Sequence, residues 1–78
     1  MAERTTFDDR LPRSEVAAYL AALAAEFDDE DGIDVEVGNK TISLDPPEEV
    51  DFSVDVVERS SMLRGSRETI ELEVSWKP

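Results

Sequence analysis

The stretch Glu68-Thr69-Ile70-Glu71-Leu72-Glu73-Val74-Ser75-Trp76 decides the fold. Ile70, Leu72, Val74 and Trp76 alternate with Glu71, Glu73 and Ser75, the period of two that marks a β-strand with one apolar face. Upstream, Val50, Phe52, Val54 and Val56 alternate in the same way with Asp51, Ser53 and Asp55. Antiparallel pairing that sets Val56 against Ile70 and Val54 against Leu72 gathers the apolar residues on one side. It also leaves Asp55 across from Glu71 on the other side, and like charges directly opposed are unfavourable in a sheet. The connection between the strands is expected to run from about Arg59 to Ser66.

Working outward, Asp45-Pro46-Pro47-Glu48-Glu49 interrupts the alternation, because consecutive prolines donate nothing to a ladder. Before it, Ile33, Val35 and Val37 alternate with Asp34 and Glu36, and Ile42 and Leu44 alternate with Thr41 and Ser43. Gly38-Asn39 lies between, and a two-residue loop with glycine first predicts a type II′ hairpin. With that turn, Val37 faces Lys40, Val35 faces Ile42 and Ile33 faces Leu44. Turn chemistry and hydrophobic pattern therefore agree on one register.

The remaining segment predicts a helix. Val16, Tyr19, Leu20, Leu23 and Phe27 form one apolar stripe, and six alanines flank it. Leu11-Pro12-Arg13-Ser14 reads as its entry, with Ser14 as the cap and Glu15 near the positive end of the dipole. Gly32 is expected to stop it in a left-handed conformation. Thr5, Thr6 and Phe7, within residues 3–9, suggest a short first strand. The element order is then β-α-β-β-β-β. The fold class is α+β, a two-layer domain spanning residues 1–78, with one amphipathic helix packed on an antiparallel sheet of four to five strands.

Composition narrows the function. The 78 residues carry 20 acidic and 8 basic side chains, a net charge of −12, with no cysteine or histidine. Disulfides, thiol chemistry and zinc sites of the usual kind are thereby excluded, and so is the side chain that ordinarily titrates near neutrality. In Val16 to Ala25, the longest apolar run, six of ten residues are alanine, so no secretion signal or membrane span is expected and a cytoplasmic protein follows. Glu26, Asp28, Asp29, Glu30 and Asp31 crowd the negative end of the helix dipole, each costing roughly 0.3–1 kcal/mol at low ionic strength. In about 1 M salt the screening length is about 3 Å and most of that penalty disappears. The chain reads as adapted to concentrated salt.

An amphipathic strand ending in Trp76 near the C-terminus resembles the hallmark of the amphi-Trp domain, a small family common in salt-in archaea. Ser14-Glu15-Val16-Ala17-Ala18-Tyr19-Leu20 and Asp45-Pro46-Pro47 followed by Val50-Asp51-Phe52 extend the likeness over roughly residues 5–77. The resemblance implies a fold and a habitat, and it transfers no catalytic residues.

Three groups of residues invite a functional test. Asp29, Asp31 and Gly32 suggest a calcium loop, but aligning Gly32 with its invariant sixth position puts Phe27 and Gly38 where carboxylates are required, so no metal site is expected. Asp34, Glu36, Asp51, Asp55, Glu71 and Glu73 are expected to share an acidic outer face, a solvated surface or a mimic of a nucleic-acid backbone. Arg59, Met62, Leu63, Arg64 and Arg67 form a basic loop with an apolar pair, which either binds a partner or pairs with nearby carboxylates. Trp76 and Tyr19, each in an apolar stripe, are expected in the core.

These features favour a non-catalytic module without a cofactor, contacting a protein partner or itself through a sheet edge or the arginine loop, as a monomer or weak dimer. The alternative is an acidic charge mimic that occupies basic nucleic-acid-binding surfaces. Direct nucleic-acid binding, which needs clustered lysine and arginine, and membrane binding are not expected. Charge repulsion against a small folding margin gives a first prediction. Far-UV circular dichroism should show loosening or unfolding as potassium chloride is withdrawn and recovery as it is restored. A signal indifferent to salt would contradict the halophilic reading.

Overall fold

A computed structural model of the chain describes residues 3–63 and 65–78. One helix and four strands follow each other in an α+β arrangement: α1 (Arg13–Phe27), β1 (Ile33–Val37), β2 (Lys40–Leu44), β3 (Asp51–Ser61) and β4 (Gly65–Ser75). The strands form two two-stranded antiparallel sheets, β1 with β2 and β3 with β4, where a single sheet of four to five strands was expected. The chain divides into two compact units, Met1–Asp45 and Pro46–Pro78.

In the first unit, α1 begins one residue before Ser14, and the capping position falls on Pro12. The Pro12 carbonyl accepts hydrogen bonds from the Glu15 and Val16 N–H groups at 3.0 and 3.3 Å. Ser14 lies inside the first turn and supplies no cap, because the fixed φ of proline has already set the entry. The helix closes on Asp28, whose N–H reaches the Ala24 and Ala25 carbonyls.

Gly32 is not left-handed; among the described residues only Gly38 and Gly65 have positive φ. Its smallness serves a different need. A Cβ there would stand 2.9 Å from the Leu44 carbonyl oxygen, so the chain entering β1 passes against the backbone at the end of β2. The hairpin register is as expected, with Ile33 opposite Leu44, Val35 opposite Ile42 and Val37 opposite Lys40. Gly38 has φ +64° while no described non-glycine residue has positive φ, which is the type II′ signature. Ile33, 1% exposed, is the fully enclosed apolar side chain of this unit, and Leu23, Phe27, Val35, Val37 and Ile42 are half-buried.

Residues 3–12 form no strand. The run is short and polar, and its one aromatic ring packs on the hairpin turn, where a Cβ at Gly38 would meet Phe7 Cδ1 at 3.3 Å.

The second unit is a long hairpin. Val54 faces Leu72, Val56 faces Ile70, Phe52 faces Val74, and Asp55 stands across from Glu71. The ladder runs further than expected, since Arg59 pairs with Arg67 and Ser61 with Gly65, leaving only residues 62–64 between the strands. Apolar parity is kept but enclosure is not: Phe52 is 64% and Ile70 71% exposed, Leu72 also lies at the surface, and Trp76 is half-buried.

Gly32→Ala should lower the urea midpoint in molar potassium chloride by an amount worth about 1–3 kcal/mol, because a backbone oxygen cannot swing aside as a side chain would. An unchanged midpoint would show that the close approach is not required.

Candidate functional site

β1 is held on both of its edges. A two-residue turn is closed by a hydrogen-bonded pair, Val37 and Lys40, and alternation along the ladder then turns the N–H and C=O groups of Glu36 and Asp34 away from β2. Side chains of α1 meet that outward edge. The Tyr19 hydroxyl donates to the Glu36 carbonyl at 2.6 Å, and the Asp34 N–H donates to Glu26 Oε1 at 2.8 Å. Positions 19 and 26 are two helical turns apart on one face. The earlier helical residue meets the later strand residue, so α1 runs antiparallel to β1. The Ser43 hydroxyl completes the arrangement by donating to Asp34 Oδ1 at 2.7 Å across the hairpin.

Beside this clamp lies a groove of about 1010 Å³ between the N-terminal segment, α1 and the turn. Phe7, Leu11, Val16 and Val37 contribute apolar surface to it. Asp8, Asp9, Glu15 and Glu36 are the acidic residues of its lining, against one arginine, Arg4.

In the second unit, the turn after β3 presents Met62 and Leu63 to solvent, 104% and 97% exposed. The Leu63 N–H is tied to Ser61 Oγ at 3.3 Å, and the paired Arg59 and Arg67 stand just behind on one face of the ladder. Arg64, included with them on sequence grounds, lies outside the described residues. Of the expected acidic face, Asp51, Asp55, Glu71 and Glu73 do share one side of the β3–β4 hairpin. Asp34 and Glu36 belong to the other unit, where the Asp34 carboxylate accepts from Ser43 and the Glu36 backbone from Tyr19. Among the described residues no group of three or more acidic side chains is placed to hold a metal ion. No described helix is long and apolar enough to cross a membrane.

A family model described as the Amphi-Trp domain matches residues 1–78, the whole chain. The chain belongs to the Amphi-Trp domain family. Among curated proteins and among solved structures, nothing matches it. In this Amphi-Trp domain the tryptophan follows directly on β4, half-buried, in step with the apolar side of that strand.

Sequence pattern alone does not reveal the clamp. Tyr19 sits in the helical stripe and reads as core, yet it is partly exposed and its hydroxyl makes the bond that matters. The only signal was chemical: a tyrosine in a stripe of aliphatics carries a polar tip that needs a partner. Glu26 reads as one more acid at the wrong end of a helix. Its use as an acceptor for a strand N–H has no sequence signature.

Tyr19→Phe should cost about 0.5–1.5 kcal/mol in urea unfolding under molar salt. Glu26→Ala should cost as much or more and Glu26→Gln, which keeps an acceptor oxygen, less. Equal losses for the alanine and glutamine variants would show that Glu26 acts through charge and not through the Asp34 N–H.

Proposed function

We propose that this Amphi-Trp domain is a non-catalytic association module of a salt-rich cytoplasm, joining protein molecules through its second hairpin. The observation that carries this is the apolar surface that β3 and β4 present. Three directly opposed apolar pairs, Phe52–Val74, Val54–Leu72 and Val56–Ile70, occupy one face and are exposed, and Met62 and Leu63 are exposed at the tip. Isolated apolar residues on a surface are ordinary, whereas a contiguous patch marks a contact. A hairpin of two strands is also marginal in water until its apolar face is covered.

Magnitude sets the strength of such a contact. Covering half-exposed aliphatic and aromatic side chains contributes roughly 1 kcal/mol each. Association costs roughly 4–15 kcal/mol in lost freedom. A weak, concentration-dependent complex is the expected result. Self-association brings together two chains of charge −12 and therefore needs screening.

A second reading keeps one specific observation in its favour. Asp51, Asp55, Glu71 and Glu73 lie on the same side of the hairpin, a negative surface suited to a basic nucleic-acid-binding protein. Under that reading Glu71→Gln with Glu73→Gln abolishes capture of basic proteins, and changes on the apolar face do not.

Sedimentation velocity in molar potassium chloride separates the two. The association reading expects a sedimentation coefficient that rises with protein concentration and falls back to the monomer value as salt is lowered towards the limit of folding. A strict monomer at every concentration would sink it.

A further inference from the structure

The tip of the second hairpin and the groove beside β1 carry opposite chemistry. At the tip, two adjacent apolar side chains, Met62 and Leu63, stand wholly in solvent at a turn, where small polar residues normally serve. Behind them Arg59 and Arg67 face each other across the ladder, so two cations are held side by side. Neither feature helps the hairpin itself: the apolar pair loses free energy to water, and the arginines repel. The groove is the complement. Its lining joins the aliphatic and aromatic residues Phe7, Leu11 and Val16 with the acidic residues Asp8, Asp9 and Glu15, of which Asp9 also accepts the Arg10 N–H at 2.7 Å, and at about 1010 Å³ it is open and roomy.

We propose that the Met62–Leu63 tip of one molecule seats in the acid-lined groove of a second molecule of the same chain, with Arg59 and Arg67 drawn onto the groove's carboxylates. This rests on the association reading above and names its contact. Methionine adapts its unbranched chain to an irregular apolar surface. Arginine makes directional, charge-assisted hydrogen bonds to carboxylates that survive where a diffuse attraction is screened. Methionine and arginine are also the residues enriched at the centres of protein contacts, and lysine is depleted there. Tip and groove are different surfaces, so the contact is heterologous; two molecules close it reciprocally, or it continues from molecule to molecule.

Because the two halves of the contact lie on different residues, they can be removed separately and recombined. One variant carries Met62→Asp with Leu63→Asp; the other carries Asp8→Lys with Asp9→Lys, two exposed positions outside every helix and strand. Circular dichroism in molar potassium chloride checks that both remain folded. Each alone should sediment as a monomer where the unaltered chain associates, the tip variant losing at least about tenfold in affinity for each apolar side chain withdrawn. An equimolar mixture should form a one-to-one complex, since the first variant keeps its groove and the second its tip. If the mixture stays monomeric, the proposed contact is overturned. If the tip variant still self-associates, the contact is overturned but the association reading stands, and Phe52→Asp on the hairpin face should then abolish the complex. If the unaltered chain is monomeric throughout, both fall.

Discussion

The outward edge of β1 is the constraint on which the first half of the molecule depends. A hairpin of five-residue strands leaves unpaired backbone groups along both sides, and such edges either recruit another strand or must be closed. Here the helix closes one of them with side chains, Tyr19 capping a carbonyl and Glu26 an N–H. No further strand pairs with that edge in the described ladder, and the sheet stops at two strands. The short return from Asp28 to Gly32 and the bare α-carbon at Gly32 follow from the same demand. α1 runs back along the strand that follows it, and the connection has to turn within a few residues against the end of β2.

Electrostatics shapes the second half. Along β3 and β4, Asp55 faces Glu71, Glu58 faces Glu68 and Arg59 faces Arg67. Each of these three like-charged pairs is repulsive, and the repulsion weakens as the screening length falls towards the spacing between strands. The charges are also zoned. On the face that carries Asp51, Asp55, Glu71 and Glu73 towards the open end, Arg59 and Arg67 stand near the turn, while Glu58 and Glu68 lie beside them on the opposite face.

How far the structure was legible from sequence can be read residue by residue. Strand identity and both registers were accessible because period-two alternation and a Gly-first turn act locally and agree with each other; Val35 opposite Ile42 and Val56 opposite Ile70 needed nothing more. The helix was legible to within a residue or two. Its cap was not, because Pro12 and Ser14 are both good entry signals and only the backbone shows which one is used. Strand count failed at residues 3–9, where β-favouring threonines were outweighed by the packing of Phe7 on the Gly38 turn. The expectation of a single sheet failed for a deeper reason. Alternation shows which side of a strand is apolar but contains no information about what lies against it, so Phe52 and Ile70 satisfied the pattern and remained exposed. Of the candidate site, the basic-apolar turn was visible because its composition departs from the acidic background. The groove was not, since it draws on three segments whose convergence is tertiary.

Among the described residues Ile33 alone is both apolar and fully buried, although apolar residues make up 40% of the chain. Leu23, Phe27, Val35, Val37, Ile42 and Trp76 add partial burial, so the apolar contribution is spread thinly over many side chains. On the association reading, covering the exposed face and tip of the second hairpin would add burial, and the stability of this Amphi-Trp domain would then be linked to its own concentration. Salt acts on both sides of that linkage, relieving repulsion within each molecule and between molecules. On the association reading, folding and association would respond to ionic strength together.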